Sequence, residues 1–330
     1  MRHSHPMRRA ISGALLLATL GFFSLTAGDS APAGDALAES ISVSYVLVPF
    51  VPLDANGRPL DDLEARDVKV LVDGQEVRTD LFERAADLPV SFTILLDGSG
   101  SMGLAGKLEG ARAALQTLFL NHRPGDEYAL YLCANGKVSE LVPFTASGTE
   151  ILRAFDRVEP YGRTTLFDAV VRMPDKTILG RNGSRAIILL TDGLDNASET
   201  DRETLLTMLQ GVEVPVYPLG LVKRRSLLPP LEGTLESRLD MGVLGDLARM
   251  SGGRLAIAAE PEELQKAIQT LVGELRSQYL VGFAPSGEGS VRYRKIALDI
   301  EGPVETIRVR SGYRGTDPPL VAGKANIKAK

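Results

Sequence analysis

Asp97, Ser99 and Ser101 occupy every second position at the end of the run ILLDGSGSM, residues 94–102. Glycines at 98 and 100 separate them, and three aliphatic residues lead in. One carboxylate and two hydroxyls on flexible hinges suit three kinds of chemistry: a serine nucleophile, a phosphate cradle, or a cation site lined with oxygen. A nucleophilic Ser101 in SGSMG, between a strand and a helix, needs a general base, usually histidine. His3 and His5 lie in the N-terminal leader, which leaves His122. The intervening helix holds that residue about 30 Å from Ser101, at 1.5 Å per residue over about 20 residues. A phosphate loop fails as well. In DGSGSMGLAGK, Leu108 follows Lys107 where the motif needs Ser or Thr, and Asp97 repels a bare phosphate.

Two further clusters favour the cation. GRTTLFDA supplies Thr164 and Thr165, and AIILLTD ends in Asp192 before Gly193. Open α/β sheets gather such residues beyond the carboxyl ends of their strands, where the strand order reverses. The pooled donors are all oxygens, which points to a hard dication and away from metals that seek thiolate or imidazole. Mg²⁺ takes six oxygens at roughly 2.0–2.1 Å. Two carboxylates and three neutral hydroxyls leave it short of negative charge, so an incoming Asp or Glu would complete the shell.

The surrounding patterns say what must position these residues. Nearly continuous apolar runs, VSFTILL, EYALYLCA, AIILLTD, VPVYPLGL and RLAIAA, read as strands. Between them lie KLEGARAALQTLFLNH, GTEILRAFDRV, LFDAVVRM, ETLLTMLQ, VLGDLARM and PEELQKAIQTLVGELRSQ, which read as helices. Leu108, Ala111, Leu115 and Leu118 share one face at helical spacing, and Thr200 or Asp201 caps the helix near Glu203. This alternation predicts an α/β fold, a doubly wound, mostly parallel sheet covered on both faces. Asp168, inside the helix beginning near Leu166, is expected to orient the threonine loop. Neither Glu109 nor Asp195 is evidently placed as a base for a metal-assisted hydrolase. Cys133, the single cysteine, reads as a buried core residue and precludes an internal disulfide.

Both flanks are β-rich. SVSYVLVPFVPLD with Asn56-Gly57, and the hairpin signature VKVLVDGQEV around Asp73-Gly74, precede the α/β region. YLVGFAP, RYRKIALDI and TIRVRSGY follow it. Neither flank buries enough surface alone, so the two are expected to pair, as one sandwich built from both chain ends. The resulting layout is a leader at 1–38, an N-terminal β segment at 39–87, the α/β domain at 88–278, a C-terminal β segment at 279–314 and a mobile tail at 315–330.

The leader has Arg2, Arg8 and Arg9 ahead of ISGALLLATLGFFSLTA and then the small-residue exits Ala31-Pro32-Ala33 and Ala36-Leu37-Ala38. These are the parts of a cleaved signal peptide, with an uncleaved anchor as the alternative. The expected location is therefore periplasmic or secreted, without a membrane span after cleavage. Cleavage after Ala38 removes three arginines and two aspartates, taking the formal net charge from −5 to −6. A chain with 44% hydrophobic and 24% charged residues is an ordinary globular one, and its negative balance gives no reason to expect nucleic acid. Lys223-Arg224-Arg225 reads as a solvated loop. Oligomeric state is left open.

D-x-S-x-S after the first α/β strand, Thr164 in a G-x-T-x-L-x-D-A-like loop, and T-D-G after AIILL together resemble the von Willebrand factor type A (VWA) domain. In that family these elements build the metal ion-dependent adhesion site, MIDAS. The resemblance implies that Asp97, Ser99, Ser101, Thr164 and Asp192 hold Mg²⁺, with Mn²⁺ or Ca²⁺ as alternatives. It implies direct contact through Ser99, Ser101 and Thr164, and aspartates often acting through water. Register favours Thr164 over Thr165. The flanks EARDVKVLVDGQEV…LPVSFTILLDGSGSM and LRSQYLVGFAP…RSGY resemble a bacterial exported subgroup of VWFA-related proteins. The implied function is a non-enzymatic, metal-dependent protein-binding module for adhesion or assembly, whose partner presents an acidic side chain. The alternatives are a metal-assisted hydrolase and a scaffold subunit of an envelope complex. Two positions depart from the family pattern: Gly98 is expected to loosen the first loop, and Arg163 adds positive charge beside the site.

Overall fold

The computed structural model describes residues 45–86, 88–193, 195–222 and 235–320. The leader, the Lys223-Arg224-Arg225 cluster and residues 321–330 of the expected tail lie outside these. Strands β1 (Val46–Leu53), β2 (Val68–Val72), β3 (Gln75–Val77) and β4 (Leu81–Arg84) come first. Asp73 and Gly74 join β2 to β3 with φ of 50° and 80°, the doubly left-handed geometry that a two-residue hairpin demands.

The α/β part runs β5 (Val90–Asp97), α1 (Lys107–Leu120), β6 (Glu127–Ala134), β7 (Lys137–Thr145), α2 (Gly148–Phe155), α3 (Leu166–Thr177) and β8 (Ser184–Thr191). It continues with α4 (Arg202–Met208), β9 (Val216–Leu221), α5 (Leu235–Ser251), β10 (Ala256–Ala258) and α6 (Pro261–Arg276). The last strands are β11 (Tyr279–Phe283), β12 (Arg292–Ile300), β13 (Thr306–Val309) and β14 (Gly312–Gly315).

The central sheet has the order β10-β9-β8-β5-β6-β7. Every pairing is parallel except that of edge strand β7, which turns back on β6 through Asn135-Gly136. Helices cover both faces, so β5 is buried at all eight positions, its two small hydroxyl residues Ser91 and Thr93 included. On one face Phe92, Ile94, Leu96 and Ile188 pack against Ala111, Leu115 and Leu118 of α1 and Ile268 and Leu271 of α6. On the other, Leu95, Tyr131, Cys133 and Leu189 meet Val170 and Met173 of α3 and Leu244 and Leu247 of α5. Cys133 is the core residue expected of it. Burial pushes its thiol well above the ordinary range, and the Asp97 charge pushes it further. The chain leaves β5 towards β6 on one side and returns to β8 on the other. The carboxyl ends of β5 and β8 therefore flank the point where strand order reverses, the place where such sheets bind ligands.

The flanking strands pair as their mutual need required. β1 runs antiparallel to β11 and β13, and β12 runs antiparallel to β2. The sheets β13-β1-β11-β4 and β14-β12-β2-β3 share one core, in which Val48, Phe50 and Phe283 of the first meet Val70, Val72 and Tyr313 of the second. That is an antiparallel sandwich contributed by both ends of the chain. Residues 315–320, expected to be mobile, are held to it. Leu320 bridges to Val77, Arg78 N–H donates to the Pro319 carbonyl (2.8 Å), and Asp317 pairs with the buried guanidinium of Arg294. Their Pro-rich composition signalled a tail, but pairing with β3 and Arg294 outweighs it.

Candidate metal centre

Three segments meet at the switch point. Asp97 is the last residue of β5, and Asp192 follows the last residue of β8. The register pairs Leu96 with Leu190, so Asp97 is level with Thr191, one residue short of Asp192. Ser99 and Ser101 follow in a loop and a 3-10 turn, Gly100–Gly103. The threonine loop is laced to this first loop through the backbone: Tyr161 N–H donates to the Gly98 carbonyl (2.9 Å) and Gly100 N–H to the Gly162 carbonyl (3.1 Å). Asn196 then brackets Thr164, accepting from its N–H at 3.1 Å and donating to its carbonyl at 3.2 Å.

Asp97 is fully buried. One of its oxygens accepts from Ser99 N–H (2.9 Å) and the other from the Thr191 hydroxyl (2.7 Å), which itself accepts from Gly193 N–H. Burial drives its carboxyl up to about 6; the hydrogen bonds from Ser99 and Thr191 oppose this, and the Asp192 charge adds to it. The hydroxyls of Ser99 and Ser101 stand 3.1 Å apart. Asp192, its side chain 3% exposed, receives the Lys107 ammonium on Oδ2 at 2.5 Å, and Lys107 also donates to the Ser101 carbonyl at 3.1 Å. Asp192 Oδ1 is buried with no hydrogen-bond partner.

An unpartnered buried carboxylate oxygen is unusual, because desolvation without a compensating partner is costly. Next to paired hydroxyls and a second buried carboxylate, it is chemically suited to a hard dication. Among the described residues no three His, Cys, Asp or Glu side chains gather as a metal cluster. The donor set here is hydroxyl-rich and of a different kind.

The neighbours of the cup have other tasks. The Thr165 hydroxyl accepts from Gly136 N–H at 2.9 Å. Asp168 accepts from Glu199 and Thr200 N–H, both at 3.0 Å, and so holds the loop that carries Asn196. Burial alone would raise its carboxyl, but these bonds leave it below the usual range. Asp195 caps α3 from outside, taking Phe167 N–H at 2.9 Å and the Ser198 hydroxyl at 2.6 Å. Asp201, rather than Thr200, caps α4, accepting Thr204 N–H at 2.7 Å. His122 contacts the Tyr128 hydroxyl at 3.1 Å, a partner at the opposite end of the sheet from Ser101. Arg163 donates to the Asn196 carbonyl, which ties its charge to the rim. Gly98 does not slacken its loop. Gly98 N–H donates to the Cys133 carbonyl (2.8 Å), and a Cβ there would lie 2.6 Å from Leu132.

Sequence alone does not mark Thr191, Asn196 or Lys107 as site residues. Thr191 stands in the T-D-G triplet beside the more conspicuous Asp192, and Lys107 falls where a phosphate loop would place its lysine. Asn196 carries no local signal.

A doubly wound α/β domain with an oxygen-lined cup at its switch point defines the class. Residues 92–194 match the von Willebrand factor type A domain model, and the chain carries a VWA domain. Similar solved structures include BatB from Bacteroides thetaiotaomicron (23% identity, 56% of this chain and 98% of that one, TM-score 0.45). A von Willebrand factor type A protein from Catenulispora acidiphila is 12% identical over 84% of this chain and 74% of that one, with a TM-score of 0.47. Proximal thread matrix protein 1 from the mussel byssus, with a zinc-occupied MIDAS motif, is 16% identical over 62% and 49%, with a TM-score of 0.45. No curated protein matches the chain.

Proposed function

We propose that this protein is a divalent-metal-dependent protein-binding module whose cup is formed by Asp97, Ser99, Ser101, Thr164 and Asp192. The observation that carries the reading is the buried, unpartnered Oδ1 of Asp192 in a cup that also holds Asp97 and the paired Ser99 and Ser101 hydroxyls. Thr164 is the better donor of the two threonines because the Thr165 hydroxyl is already occupied by Gly136 N–H. A bound dication, Mg²⁺ foremost and Mn²⁺ or Ca²⁺ as alternatives, offers an open position to a carboxylate oxygen. Asp97 and Thr191 keep the floor rigid, and Asn196 sets the threonine loop. Exposed Leu104 and Tyr161 flank the first and threonine loops and give a partner apolar surface around its acidic side chain.

The reading includes export through the 1–38 leader to the periplasm or medium, and a domain layout with the VWA domain at 88–278. Among the described residues no helix is long and apolar enough to cross a membrane. The test is affinity capture from envelope extract by the wild-type chain with Mg²⁺, the wild-type chain with chelator, and Asp97→Ala with Mg²⁺. Partners recovered with the first bait alone are the expected outcome; equal recovery with all three would falsify metal-bridged binding.

A further inference from the structure

The Lys107 ammonium lies 2.5 Å from one oxygen of Asp192 and 3.1 Å from the Ser101 carbonyl, so it sits between two of the residues that form the cup. Its side chain is 12% exposed, which places a charge at the inner wall and not on a solvated rim. Local structure opposes that placement. Lys107 is the first residue of α1, where the helix dipole disfavours a cation. The turn that delivers it holds two consecutive residues in the left-handed region, Ala105 at φ 59° and Gly106 at φ 73°. For alanine that conformation is strained, because its Cβ crowds the following carbonyl. A surface lysine would relax away from such a position. This one is held in by Asp192.

We infer that Lys107 is a built-in counter-cation of the cup, a specificity-determining residue that weakens dication binding and strengthens capture of the partner's carboxylate. The inference rests on the proposed metal site. Two carboxylates against one ammonium leave the cup with one net negative charge. A dication turns that into one net positive charge, whereas the same cup without the lysine would be neutral. The lysine therefore works against the metal, because like charges at short range in a partly buried site repel strongly. It works for an acidic ligand by the same charge. Asp192 Oδ1 is left free while Oδ2 is engaged, so one carboxylate can face the lysine and the cup at once. The protein would thus hold metal loosely when alone and firmly when an acidic partner is bound, a reciprocal coupling between the two ligands.

The test uses the full chain at pH 7.5, with Mn²⁺ followed by calorimetry and paramagnetic resonance and acetate as the carboxylate probe. Lys107→Gln and Lys107→Met remove the charge, Lys107→Arg keeps it, and circular dichroism verifies folding of each. Both neutral variants are expected to bind Mn²⁺ at least about tenfold tighter than wild type, and once loaded to bind acetate more weakly, by about threefold or more. Lys107→Arg is expected to stay near wild type. Binding by a neutral variant where wild type binds none also supports the inference. Equal or weaker Mn²⁺ affinity in whichever neutral variant folds overturns it while leaving the metal site standing. Absence of binding in wild type and every folded variant overturns the metal reading itself, and the inference with it.

Discussion

The two ends of the central sheet both bury carboxylates, and they treat them differently. At the amino end, Asp126 accepts from Val90 N–H and Arg123 N–H, each at 2.9 Å, and from the guanidinium of Arg276. Its neighbour Glu127 accepts from the Ser91 hydroxyl and Arg181 N–H, both at 2.6 Å, and pairs with the Arg181 side chain. Each of those four oxygens has a partner supplied by the chain. At the carboxyl end Asp97 is equally well served, but Asp192 keeps one oxygen without a partner and gives the other to a lysine that its own helix disfavours. Asp126 and Glu127 are tied wholly into the fold, whereas Asp192 keeps an oxygen to spare; Glu274 also keeps one, but beside the structural ion pairs of Arg254 and Arg308 and away from any cluster of hydroxyls among the described residues.

The contrast breaks most visibly at Asp126. Asp126→Ala strands Arg276, whose side chain is 7% exposed, so the loss should be about 3–5 kcal/mol. Urea denaturation reads that loss, and dication affinity of the folded fraction should not change. A small loss there would erase the distinction between the two ends.

Asp97 predicts the opposite pattern. Its carboxyl is raised from the usual 3.8 to about 6, so the folded metal-free protein resists its ionisation. No penalty exists below the unfolded value; it grows as pH rises through that window and is complete above about 6. Metal-free Asp97→Asn should therefore be more stable than wild type at pH 7.5, by about 3 kcal/mol, with the gap closing near pH 4. The same variant should lose dication binding. In wild type, protons should compete with the cation below about pH 6, weakening binding about tenfold per pH unit. Stability curves and calorimetric titrations at several pH values decide this, and a variant less stable than wild type at pH 7.5 would place Asp97 with Asp126 as a structural residue.

The smallest effect belongs to the turn before Lys107. Ala105→Gly relieves a left-handed alanine and should raise stability by about 0.5–1 kcal/mol, measured as a shift in melting temperature. A loss would show that Ala105 contributes packing that its exposed position conceals.

Much of the architecture was legible because its signals are local and redundant. β5 and β8 carry the apolar runs ILL and AIILL, α1 and α6 carry an apolar stripe, and Asp73-Gly74 is a hairpin turn by composition. Strand β7 escaped, although Asn135-Gly136 is the same kind of signal, because KVSELVPFT mixes charge and apolar residues as an edge strand does. β4, half exposed, escaped for the same reason. The ordered stretch at 315–320 escaped because its anchors, Val77 and Arg294, are remote in sequence.

For the site, residue types and spacing alone determined which oxygens are available and that each follows the end of a strand or opens a helix. Hydrophobic periodicity determined that those ends share one edge of a parallel sheet. Tertiary structure decided the rest: which hydroxyl is already engaged (Thr165, by Gly136), which side chains hold Asp97 and Thr164 (Thr191 and Asn196), and that a lysine from the head of α1 reaches Asp192. Hydrogen-bond satisfaction is a property of atoms brought together from distant positions, and no pattern along a chain records it.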